Sequence, residues 1–182
     1  MKKIFIIILS ILLNINFLYA DDRSSELNHL FNELKIKDKN LSFEVEQQIW
    51  KIWSTHPNNN RLTSMLAVGS NFMNNKEYSK AVEIFTKVID LDPTWAEAWN
   101  KRATVLYIIG EFEKSQNDID QVLKLEKRHF GALAGQGLVN IELENYEKAL
   151  ESYKEAMRIY PSMNSPKIMI KQIKELIQRQ SI

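Results

Sequence analysis

"DLDPTWAEAWNKRA", Asp90 to Ala103, places a helix-stopping proline directly before a tryptophan-rich restart. A turn used once needs neither. Proline lacks the backbone donor and crowds the preceding turn, so Pro93 ends whatever helix arrives at Leu91. Thr94 and Glu97 stand at capping-box spacing, which predicts a new helix with Trp99 as its first large core residue.

The arrangement recurs. Leu91, Leu125 and Ile159 are 34 residues apart, and so are Tyr78, Phe112 and Tyr146; Ala81, Ser115 and Ala149; and Phe85, Ile119 and Tyr153. Pro93 and Pro161 are two periods apart, with Lys127 at the place between. Met65, Trp99 and Leu133 also match, each followed four residues later by Gly69, Ala103 or Gly137. A fixed period of this length signals stacked supersecondary units. Three copies follow, at 62–95, 96–129 and 130–163. Each divides into two helices: in the middle copy Trp99, Ala103, Leu106 and Tyr107 share one face before Gly110, and Phe112, Ser115, Ile119, Val122 and Leu123 share the next. Gly69, Ala103 and Gly137 are expected to meet Ala81, Ser115 and Ala149, small against small, so that the two axes approach closely.

Period, small-residue pairs and terminal proline together resemble the tetratricopeptide repeat, a helix-turn-helix unit. The resemblance covers residues 62–163. It implies an all-α fold, a right-handed α-solenoid whose first helices line a concave groove that binds other proteins. Three departures stand out: Arg102 for a leucine, Lys127 for a proline and Asn140 for an aromatic. Carried onto this sequence, the family's groove positions hold Leu66, Ser70, Met73 and Asn74 in the first copy, Asn100, Thr104, Tyr107 and Ile108 in the second, and Leu138, Ile141 and Glu142 in the third. Relatives that clamp the C-terminal carboxylate of heat-shock chaperones use Lys, Asn and further basic residues where this chain has Leu66, Ser70, Gly131 and Gly135, so that clamp is not expected. The run from Trp99 to Val139 also resembles bacterial envelope members of the family.

Helical patterning continues outside the copies. Leu27, Leu30, Phe31 and Leu34 share one face, and Val45, Ile49, Ile52 and Trp53 another before His56-Pro57. Residues 21–61 therefore read as an N-terminal helical cap or degenerate repeat. Ser165-Pro166 reads as an N-cap with a first-turn proline, opening a C-terminal capping helix within 164–182 whose stripe is Ile170, Ile173, Leu176 and Ile177 and whose last five residues fray. At the other end, Lys2-Lys3, the apolar run from Ile4 and the small residue at Ala20 have the order of a secretory signal, residues 1–20, cleaved after Ala20. Ile4 to Leu18 is 15 residues with Asn14 and Asn16 inside, whereas a spanning helix needs about 20 apolar residues, so a retained anchor is the lesser reading.

Composition narrows the chemistry. The 182 residues include 24 basic and 23 acidic side chains, a formal charge of +1, which provides no general attraction to nucleic acid or anionic membrane. There is no cysteine, so disulfides, thiolate metal sites and cysteine nucleophiles are excluded. His29, His56 and His129 lack metal-ligand spacing and read as surface or loop histidines. Asp118 with Asp120, and Glu142 with Glu144, read as solvated faces; Lys101-Arg102 and Lys127-Arg128 read as basic doublets snorkelling beside apolar surface. The expectation is a non-catalytic adaptor without cofactor or metal, periplasmic or secreted, holding a peptide segment of a protein partner in its groove. Self-assembly through the apolar caps at Leu27 to Leu34 and Ile170 to Ile177 is the alternative, and a small hydrolase the remotest.

Overall fold

The computed structural model describes residues 22–35 and 39–180. The expected leader, residues 1–20, lies outside them. Every regular element among the described residues is a helix. Helix α1 spans 22–33. Then come α2 (Lys39–Ser54), α3 (Asn60–Asn74), α4 (Tyr78–Leu91), α5 (Ala96–Ile108), α6 (Phe112–Leu125), α7 (Phe130–Glu142), α8 (Tyr146–Ile159) and α9 (Asn164–Gln180).

The repeat is visible in the turns. Within each unit the first helix ends on a left-handed residue at Lys76, Gly110 or Glu144, with φ of 62, 81 and 57°. In each, the next amide reaches back five residues: Glu77 N–H to Phe72 O, Glu111 to Leu106 and Asn145 to Asn140, at 2.7–2.9 Å. This paired closure satisfies the carbonyls left free at a helix end. Glycine adopts that conformation without strain, but only the middle unit has it.

Within units, the glycine of the first helix lies under an aromatic ring of the second. A Cβ on Gly69 would sit 2.5 Å from Phe85 Cε1, and one on Gly137 2.5 Å from two atoms of the Tyr153 ring. The expected small-to-small pairing is met at Ala103, whose carbonyl accepts from the Ser115 hydroxyl at 2.8 Å. The capping box does not form: Thr94 Oγ1 donates to Asp92 Oδ1, Trp95 occupies the cap position without a side-chain bond, and Glu97 turns inward. Helix α9 opens at Asn164, so Ser165 and Pro166 lie within its first turn, and residues 178–180 are still helical.

Successive first helices, α3, α5, α7 and α9, touch one another along one side, whereas α4, α6 and α8 are in no comparable contact. The stack therefore curves toward its first helices. The N-terminal pair does not extend the stack. Leu27, Leu30, Phe31 and Leu34 of α1 and Val45, Ile49 and Trp53 of α2 form one cluster with Phe130, Leu133, Ala156, Ile159 and Tyr160 of the third unit. No residue of α3 belongs to it. Helix α2 runs along the edge where units join: Trp95 Nε1 donates to Trp53 O (2.9 Å), Trp53 stacks on His129 (centroids 4.0 Å, 9° between planes), and the Tyr160 hydroxyl donates to Glu46 (3.1 Å).

Candidate protein-binding groove

Between α5 and α7, on the concave side, lies a cleft of about 250 Å³. Asn100, Thr104 and Tyr107 wall it from α5, and Ala134, Gly135 and Leu138 from α7. It stays open because α7 has alanine at 134 and glycine at 135, where longer side chains would fill it. Among the residues that line it there is no Lys, Arg, His, Asp or Glu.

Of the groove positions expected from sequence, this cleft brings together Asn100, Thr104, Tyr107 and Leu138. Asn100 is nearly buried and donates its amide to Glu97 Oε2 at 3.0 Å. The Tyr107 hydroxyl bridges the cleft mouth to Glu142 Oε1, a long contact of 3.5 Å. Burial, and then the carboxylate of Glu142, raise that phenol above its ordinary range. Ile108 is exposed at the edge, and Ile141 packs on the Tyr153 cluster. In the first unit Leu66 is 2% exposed within the core and Met73 packs against that core, while Ser70 bonds to Leu66 O and Asn74 is exposed. Leu66 thus offers a ligand no surface.

At the foot of the groove stands a buried polar group that the sequence did not announce. His129 is fully buried, not a surface histidine. Its Nδ1 accepts the Ala132 amide (3.0 Å), capping α7, and its Nε2 faces Glu97 Oε2 at 3.1 Å. An Nδ1 that accepts leaves the proton on Nε2, so the neutral ring donates to Glu97. Lys101 Nζ lies 3.3 Å from the other oxygen and over the Trp50 ring at 5.9 Å. Burial pushes the Glu97 carboxyl up, but the His129 hydrogen bond and the Lys101 ammonium outweigh this and hold it below the usual carboxylate range. His56 repeats the pattern at the previous junction: it is buried, accepts from Asn58 N–H and meets Asp92 at 2.7 Å. Only His29 is exposed.

Asp118 is not on a solvated face either. It is 4% exposed and takes Arg102 in a bidentate pair at 2.7 and 2.8 Å, while Arg102 also reaches Thr86 and lies over Trp99. Arg128 does snorkel, across Phe31 at 4.2 Å. No group of three or more His, Asp or Glu is placed to hold a metal among the described residues. Nor is any helix among them long and apolar enough to cross a membrane.

A stack of helix pairs curved toward its first helices, with a left-handed stop at one place in each unit, defines an α-solenoid. Comparison with known proteins agrees. Residues 62–94 and 131–163 match the tetratricopeptide repeat family. A TPR repeat-containing protein of Rhizobium etli is 29% identical over 137 residues, 75% of this chain and 67% of that protein. The small glutamine-rich tetratricopeptide repeat-containing protein 2 of Mycosarcoma maydis is 27% identical over 53% of this chain, which there spans only 27% of the relative's length. Among solved structures, the first TPR of Spaghetti (RPAP3) bound to an HSP90 peptide superposes with a TM-score of 0.64 at 18% identity, covering 65% of this chain and 94% of that one. The chain carries tetratricopeptide repeats.

Proposed function

We propose that this protein is a non-catalytic adaptor that holds a peptide segment of another protein in its concave face. The observation behind this reading is the open cleft between α5 and α7, on the side toward which the stack curves. The solved Spaghetti domain was captured with an HSP90 peptide, which supports a peptide as the kind of occupant. The proposal extends to place: with residues 1–20 acting as a secretory leader cleaved after Ala20, the working protein resides in a bacterial envelope. Self-assembly through the terminal helices has weaker support, because Leu27, Leu30, Phe31, Leu34 and Ile173 are all covered by the chain itself.

The test is a photo-crosslinking residue at Tyr107, with one at exposed Lys114 on α6 as control, together with a Thr104→Ala/Tyr107→Ala/Leu138→Ala variant. Asn100 is left intact because it braces Glu97. A protein captured at Tyr107 and not at Lys114, and lost in the triple variant at unchanged melting temperature, is the expected result. Equal capture at both positions overturns the groove. The mass of the protein recovered from the envelope fraction checks the leader: a chain still starting at Met1 contradicts removal.

A further inference from the structure

The hydrogen bonds along the cleft wall narrow the chemistry of an occupant, given that the concave face is where binding occurs. Most of the wall's donors are already committed inside the protein, the exception being the second N–H of the Asn100 amide. Thr104 Oγ1 donates to Asn100 O (2.9 Å), Ser115 Oγ to Ala103 O (2.8 Å), Tyr107 to Glu142, and the Asn100 amide to Glu97. What faces the cleft is a set of acceptors: the lone pairs of Thr104 and Tyr107 and the Glu142 carboxylate at its mouth. Glu142 has no cationic partner among the described residues.

A helix N-terminus normally invites an anion, and α7 begins at the foot of this cleft. Here that invitation is withdrawn. His129 takes the Ala132 amide, and the Trp50 ring covers Gly131, where a Cβ would meet it at 2.6 Å. Lys101 of α5 is held by Glu97 and Trp50. Helix α9 continues the same face by the 34-residue register: Ile168 follows Ala134, and Leu176 follows Glu142. Both are exposed, at 58% and 38%, beside Leu138 at 36%.

We infer that the cleft accepts a partner segment in which a lysine or arginine neighbours an apolar side chain. The cation lies against Glu142 and the Tyr107 oxygen, and the apolar group sits over Gly135 and Leu138. Acidic segments are disfavoured, because they would bring carboxylates against Glu142 and a wall that presents chiefly acceptors. With a net charge of only +1, or −1 once Lys2 and Lys3 are removed, the chain as a whole supplies no generic pull on cations, so a preference would belong to the site.

An array of short peptides of random sequence at three fixed net charges, positive, zero and negative, is titrated against the full chain by fluorescence anisotropy. Positive peptides containing apolar residues are expected to bind best, more weakly at high salt, and about fivefold more weakly to Glu142→Gln, as for a part-exposed ion pair. Equal binding at all three charges, a preference for negative peptides, or no effect of Glu142→Gln overturns the cationic ligand and leaves the groove standing. No binding at any charge, or binding untouched in the Thr104→Ala/Tyr107→Ala/Leu138→Ala variant, overturns the groove itself. The melting temperature of Glu142→Gln, expected to be unchanged, separates lost recognition from lost fold.

Discussion

The first unit and the two after it differ at one pair of places between their two helices. By the 34-residue register, the first unit has Val68, which is 45% exposed, and Ile84 at two places 16 residues apart on its first and second helices. In the second they hold Arg102 and Asp118, joined by two hydrogen bonds, and Arg102 crosses to Thr86 of the first unit at 3.0 Å. The third has Gln136 and Ser152 at 2.9 Å, with Gln136 reaching back to Asp120 at 3.4 Å. Asn140, in place of an aromatic, joins this network through Gln116 at 2.6 Å. Backbone geometry is set by the spacing, while the chemistry at each position is negotiable if every partner changes together. It also accounts for the middle unit, which lies outside the two segments matched to the family yet has the same two helices and the same turn.

Breaking the polar ladder should have the largest effect. Arg102→Ala strands Asp118, which is 4% exposed, and should cost about 3 kcal/mol in urea unfolding, the scale for losing one partner of a buried pair. The double change Arg102→Leu/Asp118→Leu imitates the first unit and should recover most of that. If Arg102→Ala alone costs under about 1 kcal/mol, the ladder is ornament.

A second break exchanges the glycine contacts. Gly69→Ala drives a methyl into Phe85 and should cost about 2 kcal/mol, as overpacking does. Adding Phe85→Ile reproduces the Ala103 and Ile119 pair of the middle unit and should restore stability; a second loss would show that the two solutions are not interchangeable.

Acid sharpens the contrast. Glu97 belongs to the middle unit alone, its counterparts 34 residues away being Thr63 and Gly131. Its folded carboxyl is held below the ordinary value of 4.5, so the stability it lends is complete above that pH and drains away as pH falls through the lower, folded value. Melting temperatures between pH 6 and 3 should fall less steeply in Glu97→Gln than in the wild type, although the variant starts lower. Identical slopes would remove Glu97 from the account.

The smallest effect concerns the turns. Lys76→Gly and Glu144→Gly should each stabilise by about 0.5–1 kcal/mol, relieving left-handed strain, while Gly110→Ala should cost about 1 kcal/mol. Equal melting temperatures would show the strain already absorbed.

Much of the solenoid was legible because the period is written three times, and Tyr78, Phe112 and Tyr146 do open the second helices. What stayed hidden depends on distance along the chain. The apolar faces of α1 and α2 told that they would be buried, but not that they would meet Phe130 and Tyr160 in place of α3. His129 looked isolated because its partner Glu97 is 32 residues away and its stacking partner Trp53 is farther still. Asp118 was misread from its neighbour Asp120, when the useful signal was the 16-residue interval to Arg102, the same interval that joins Gly69 to Phe85. At the groove, family register placed Asn100, Thr104, Tyr107 and Leu138 around one cleft, but register alone did not show that Leu66 turns into the core.

A stack of repeats ordinarily behaves as a one-dimensional chain, each unit feeling only its neighbours, so its ends melt first and partly folded forms persist. Helix α2 removes that freedom. Ser42 bonds to Ser162 and Glu46 to Tyr160, across 120 and 114 residues of sequence, while Trp53 holds the first junction through Trp95. The last unit cannot peel away without releasing the segment that enters the first. The array should therefore melt as a single cooperative block, and its folding should wait on closure of a loop more than a hundred residues long, a slower route than that of an unbraced stack.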